Sequence, residues 1–147
     1  KIKGNRNFVT KIWNASRFTL MNMDNSELED IANYNVEETE RVKRTKEHVE
    51  KVSAYIEKYQ FNLGAEEIRE FFWHQVCDVW IEEIKTEIKD LEVGSELRIK
   101  KLAELLYILK ENLKIMHPFI PFITEGIWQE LVNLGLANGL LMSQQLV

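Results

Sequence analysis

Proline occurs only twice in 147 residues, and both copies fall inside one hexapeptide, His117-Pro118-Phe119-Ile120-Pro121-Phe122. Everywhere else each residue can donate its backbone N–H to a helix, so breaks must come from glycine, polar clusters or lost periodicity. Apolar side chains recur at steps of three and four along most of the chain, the period of a half-buried helix. Phe8, Ile12, Ala15, Thr19 and Met23, flanked by Val9, Ser16 and Leu20, mark a first helix over about 5–23. Residues 24–36 carry an Asp-Asn-Ser cluster, with only Leu28 and Ile31 as apolar punctuation, and read as a loop with about one helical turn. A second helix is predicted over 37–59 on Val42, Thr45, Val49, Val52, Ile56 and Tyr59. Its other face is charged, with Glu40 and Arg44, and Glu47 and Lys51, at the four-residue spacing of ion pairs.

The third helix is predicted over 62–89, with Asn62 as its cap and a stripe from Ala65 and Ile68 to Ile84. Trp73, Cys77 and Ile81 widen that stripe, which predicts the central helix of a bundle. Gly94-Ser95 is a turn, and a leucine-rich helix over 96–116 follows, ending where Pro118 withholds an amide hydrogen. A shorter helix covers 122–134, with Gly135 as its stop. No strand pattern or internal repeat interrupts this series. The fold class expected is all-α, a bundle of about five helices forming one domain over 1–147.

With 45% hydrophobic and 29% charged residues, the chain can bury one core. It lacks a membrane-length apolar run and a signal-peptide pattern, so a cytoplasmic, soluble monomer is expected. Cys77 stands alone, which excludes an internal disulfide and a cysteine-built structural zinc site. The net charge of −5 argues against a nucleic-acid partner until its distribution is considered. Lys1, Lys3, Arg6, Lys11 and Arg17 precede the first acid, Asp24, while the residues after Met23 hold 14 basic and 24 acidic side chains. A positive segment is thus attached to an acidic body.

Residues able to do chemistry are sparse. His74, Cys77 and Asp78 lie three and four residues apart on one helix, a spacing that could present metal ligands and so suggests a small metal-dependent enzyme. The fourth ligand is missing and Cys77 falls on the apolar face, so a buried, inert thiol is the better reading. His117 sits at a helix end beside Leu113 and Phe119, which suits capping or packing better than catalysis. Neighbouring acids such as Glu66-Glu67 and Glu82-Glu83 face different ways on a helix. No glycine-rich phosphate loop or hydrolase motif occurs.

The first helix is more informative. At 100° per residue its polar side collects Lys3, Arg6, Asn7, Thr10, Lys11, Asn14, Arg17 and Asn22, with no acid among them. Arg and Lys can meet phosphates, the amides can hydrogen-bond base edges, and Phe18 and Met21 offer a surface for an unstacked base. The expected RNA-binding residues are Arg6, Asn7, Lys11, Asn14, Arg17 and Phe18. Docking of this basic face on the acidic body or on a neighbouring domain is the alternative.

Three stretches, in order, resemble the anticodon-binding domain of valyl-tRNA synthetases. They are Arg6-Asn7-Phe8 with Lys11-Ile12-Trp13-Asn14-Ala15-Ser16-Arg17-Phe18; Tyr59-Gln60-Phe61-Asn62 with Glu70-Phe71-Phe72-Trp73 and Cys77-Asp78; and His117-Pro118-Phe119-Ile120-Pro121-Phe122-Ile123-Thr124-Glu125 with Ile127-Trp128. The third is the one that separates valyl enzymes from their isoleucyl and leucyl relatives. Gly126 stands where the family usually has a second Glu, and Val79-Trp80 where it usually has Trp-Tyr. The resemblance implies a non-catalytic piece that holds the anticodon arm of a valine tRNA. It implies a parent ligase whose catalytic domain uses ATP and magnesium; this piece needs no cofactor of its own. The H-I-G-H and K-M-S-K-S motifs of the ATP site and the C-terminal coiled coil of that family do not occur in these residues. A helical protein-interaction scaffold, or the equivalent domain of an isoleucyl- or leucyl-type enzyme, would be the alternative.

Overall fold

The structure, a computed structural model, describes residues 2–144, with side chains from Arg6 onward. Its elements are α1 (Ile2–Met21), a 3-10 turn (Asn25–Glu27), α2 (Leu28–Asn33), α3 (Glu40–Glu57), α4 (Phe61–Glu70), a π-helical segment (Phe71–Ile81), α5 (Glu82–Ile88), α6 (Glu96–Met116), α7 (Pro121–Asn133) and a 3-10 turn (Leu141–Ser143). Every described element is helical, and none of the described helices is long and apolar enough to cross a membrane. The stretch from α4 through the π-helical segment to α5 is the helix that the sequence predicts over 62–89. Its middle is wound with i→i+5 bonds, which apolar periodicity does not reveal.

The hub is α6 rather than that long helix. Thirteen of its 21 residues are buried, and it packs against each of the other α-helices and the π-helical segment. The reason is its composition. Leu102, Leu105, Leu106, Leu109, Leu113 and Met116 form one stripe, and Ala103, Ile108 and Ile115 carry the apolar surface round toward the other side, so α6 has core neighbours on most of its circumference. Its buried polar groups find partners except at Asn112 Oδ1, which accepts no hydrogen bond. Glu104 accepts from Arg41 at 2.9 Å and from the Thr39 hydroxyl, and the Asn112 amide donates to the Ile108 carbonyl. Arg41 also reaches Glu83 and Glu87, both at 2.9 Å, and so ties α3 to α5 and α6.

The segment expected to be mostly loop is structured. Asp24 and Glu27 make a reciprocal capping box, and Ile31 of α2 is buried against the core. Glu27 is fully buried, accepting from Arg98 Nε at 2.8 Å and from the Gly94 amide at 2.7 Å. Burial works against its charge, but these bonds and Arg98 hold its carboxyl below the usual range.

The α3–α4 corner turns without glycine. Tyr59 takes a left-handed conformation at φ 59°, and its exposed ring meets Phe61 edge-on at 6.2 Å. Asn62 does not cap α4: Gln60 is the capping position, with no side-chain bond, and Asn62 lies in the first turn. The expected ion pairs within α3 do not form either. Arg44 sits over the Trp80 ring at 5.6 Å, and Lys51 pairs with Glu67 of α4 at 3.1 Å. His48, between them on α3, is buried, stacked at 3.9 Å on Phe71, with neither ring nitrogen hydrogen-bonded.

The proline hexapeptide makes the corner between α6 and α7. His117 Nδ1 lies 2.9 Å from the Thr124 hydroxyl across that corner, and Pro121 opens α7. One turn on, Glu125 accepts from the Leu141 amide at 2.9 Å and Trp128 donates to the Asn138 carbonyl at 3.3 Å, which binds the C-terminal segment down. Gly135, at φ 78°, ends the helix as its position predicts.

Candidate nucleic-acid interface

Amphipathicity fixes which side of α1 faces out. Phe8, Ile12, Ala15, Ser16 and Thr19 are buried, and the two hydroxyls are satisfied by bonds to the carbonyls of Ile12 and Ala15. The remaining side therefore turns to solvent. Arg6, Asn7, Thr10, Asn14 and Arg17 are exposed, as is Met21. Arg6 and Arg17 take part in no ion pair among the described residues, so their guanidinium groups are free to meet an anion.

The other two expected residues are placed differently. Lys11 Nζ lies 3.3 Å from Asp78 Oδ1 and 5.5 Å from the centre of the Trp73 ring. Phe18 is half-buried against the core, and the ammonium of Lys85 sits 5.2 Å above its ring. Phe18 is thus a platform fixed in place rather than a free-standing ring, and Lys85 is a cation of this face that the sequence does not indicate.

These contacts define a shallow trough between two helices. Phe8 stacks on Trp73 at 6.2 Å, Lys11 meets Asp78, and Phe18 meets Lys85. Advancing along α1 advances in the same sense along the neighbouring helix, so the two run parallel, side by side. One wall is the acid-free face of α1. The other carries Trp73, His74, Asp78 and Lys85.

The chemistry available here is binding chemistry. Of the metal-ligand candidates, Cys77 is buried and its thiol is pushed up to about 12 by that burial, so it is not a thiolate near neutrality. His74 and Asp78 are exposed and lie 3.2 Å from each other. No cluster of three or more His, Cys, Asp or Glu side chains suited to a metal ion occurs among the described residues. A cavity of about 270 Å³ near the start of α1 is lined by Phe8, Ile68, Met116, Phe119 and other apolar side chains, with Arg69 its one charged group among the described residues. That lining supports packing and no acid–base or nucleophilic step.

Known proteins resemble this chain over most of its length. Residues 39–146 match the family described as the anticodon-binding domain of tRNA ligase. A valine–tRNA ligase of Legionella pneumophila is 34% identical over 143 residues, which is 95% of this chain and 16% of the relative. One from Fervidobacterium nodosum is 36% identical over 134 residues, 88% of this chain and 15% of the relative. One from Bacillus cereus is 36% identical over 140 residues, 92% of this chain and 15% of the relative. The chain spans about one-sixth of the length of the curated relatives it matches.

Proposed function

The chain belongs to the anticodon-binding domain family of tRNA ligases, and from that premise we propose that it grips the anticodon arm of a valine tRNA. In this reading residues 1–147 are one binding domain of a valine–tRNA ligase. A catalytic domain of the same polypeptide supplies ATP- and magnesium-dependent valylation in the cytoplasm, and the domain works as a monomer without a cofactor of its own. The observation that carries the reading is the exposed side of α1, where Arg6, Asn7, Asn14 and Arg17 stand together with no acid of their own helix. On a chain of net charge −5, that face is where a polyanion meets least repulsion. Guanidinium groups bind phosphates, amides read base edges, and Phe18, anchored on the core beneath the Lys85 ammonium, borders this face. The His117 to Glu125 stretch and the valine–tRNA ligases among the relatives support valine over isoleucine or leucine.

A face with about three to five phosphate contacts binds tRNA weakly, on the order of 10⁻⁴ to 10⁻⁶ M near physiological salt. The test is a salt titration of tRNA binding with Arg6→Gln/Arg17→Gln against a control, Arg44→Gln/Lys51→Gln. The first pair is expected to reduce the log–log slope by about 0.7–0.9 for each lost phosphate contact, with helicity unchanged. The control pair is already engaged by Trp80 and Glu67 and is expected to change binding far less. Equal losses from both pairs would move the site off α1.

A further inference from the structure

We propose that Asp78 is a positioning residue for RNA recognition: it holds Lys11 at a fixed point of the trough and cancels that lysine's attraction for RNA that does not seat correctly. This rests on the RNA-binding reading of α1 and assigns a specificity role within it. The exposed side of α1 has no acid of its own, and Asp78 reaches it from the neighbouring helix. Its Oδ1 lies 3.3 Å from Lys11 Nζ, and its Oδ2 lies 3.2 Å from His74 Nδ1, so the carboxylate is held from both sides. His74 is itself 3.7 Å from Glu70.

The second holder of Lys11 is the Trp73 ring, 5.5 Å below the ammonium. Trp73 is fixed in turn by stacking on Phe8, with the rings 11° from parallel. Trp73 and Asp78 are five residues apart, and an α-helix would point them about 140° away from each other. The π-helical winding over Phe71–Ile81 brings residues five apart onto one side, so both reach the same lysine. The winding thus has an identifiable product.

As a stabilising contact this ion pair is worth little, because both partners are partly exposed: their side chains retain 32% and 46% of their accessible surface. Its consequence is electrostatic. A free lysine attracts every RNA alike, whereas a lysine neutralised by Asp78 gains only when a phosphate or base acceptor arrives at the position that Trp73 and Asp78 define. Specificity is a difference between two affinities, and a charge that penalises the wrong partner raises it. Arg6 and Arg17 supply the general attraction, and Lys11 under Asp78 supplies discrimination.

The experiment compares the 147-residue chain with Asp78→Asn, which keeps the shape and removes the charge, using a valine tRNA transcript and a short uridine homopolymer as probes. Asp78→Asn is expected to tighten homopolymer binding by about three- to tenfold, to steepen its log–log salt slope by about 0.7–0.9, and to narrow the ratio between the two RNAs. Asp78→Glu, which restores the charge, is expected to return toward the parent values. Adding Lys11→Gln is expected to erase the effect of Asp78→Asn, since the lysine is the group being released. Parallel weakening of both RNAs, an unchanged slope and ratio, or a persisting effect of Asp78→Asn in the Lys11→Gln background would each overturn the proposal. Loss of fold in Asp78→Asn, seen by circular dichroism, would do so too, since it would make the carboxylate structural. If Arg6→Gln/Arg17→Gln reduces the slope while Asp78→Asn does not change it, the role of Asp78 fails and the α1 face stands. If neither substitution matters, both fail.

Discussion

Acid should weaken this fold through one imidazole, and the effect can be sized from the structure. His48 is buried at 3% exposure with its ring flat against Phe71 and both nitrogens without a hydrogen-bond partner. Burial disfavours the imidazolium. Glu67, with Oε2 3.5 Å from Nδ1, favours it, and Lys51 opposes it; burial prevails and the group titrates near 4 instead of its usual 6.5. Between those values the unfolded chain binds a proton that the folded chain refuses. The stabilisation is therefore complete above about pH 7 and is lost as pH falls from 6.5 toward 4, with a slope of up to about 1.4 kcal/mol per pH unit. From pH 7 to pH 5 this amounts to about 2 kcal/mol, or roughly 4–8 °C in melting temperature. The assay is urea unfolding at both pH values for the parent chain and for His48→Phe, with His48→Met as a smaller replacement in case the phenyl ring overpacks. Each variant should be close to the parent at pH 7, since two unpartnered buried nitrogens disappear. Each should exceed it by about 2 kcal/mol at pH 5. If the gap between parent and variants changes by less than about 0.5 kcal/mol between the two pH values, burial does not govern His48 and the reasoning fails.

Two further predictions concern the frame. Arg98→Met removes the cation of the fully buried Glu27 and is expected to destabilise the fold by about 3–5 kcal/mol in denaturant titration; a loss under about 1 kcal/mol would mean that Glu27 is satisfied without it. Gly126→Ala, at an exposed mid-helix position with open space around an added methyl, is expected to stabilise by about 0.5–1 kcal/mol. Gly64→Ala, whose methyl would lie 3.2 Å from the Phe119 ring and is hemmed in by Val52 and Tyr55, is expected to destabilise; a melting shift of the same sign in both glycine variants would refute the contrast.

Most helices were legible because each buries one stripe of a simple period, and their ends follow from Pro118, Gly135 and the Gly94-Ser95 turn. The parts that were not legible depend on partners far away in sequence. Glu27, three residues after Asp24, was the available sign of a capped turn, but its burial under Arg98 joins residues 71 apart. The primacy of α6 came from residues that looked secondary beside its leucines, because a stripe shows one side of a helix and not how many neighbours surround it. In the trough, Arg6, Asn7, Asn14 and Arg17 could be placed from helical geometry alone. The restraint on Lys11 and the covering of Phe18 could not, since Asp78 and Lys85 come from another helix and the π-helical winding that aims Asp78 leaves no mark in apolar periodicity. Tyr59 is similar: a turn without glycine hides from any reading that looks for glycine.

The central place of α6 also bears on synthesis. Within these residues α1 is made before the others, and α6 is the sixth of seven α-helices to emerge. Until it does, the sides of α1 to α5 that pack on α6 stay uncovered and are open to chaperones and to self-association. Nor does any cut through the chain yield two halves that each enclose a core, because one half would always lack α6 and the other would display it. Folding should therefore proceed late and as a single event, with the domain closing once residues near Met116 have cleared the exit tunnel.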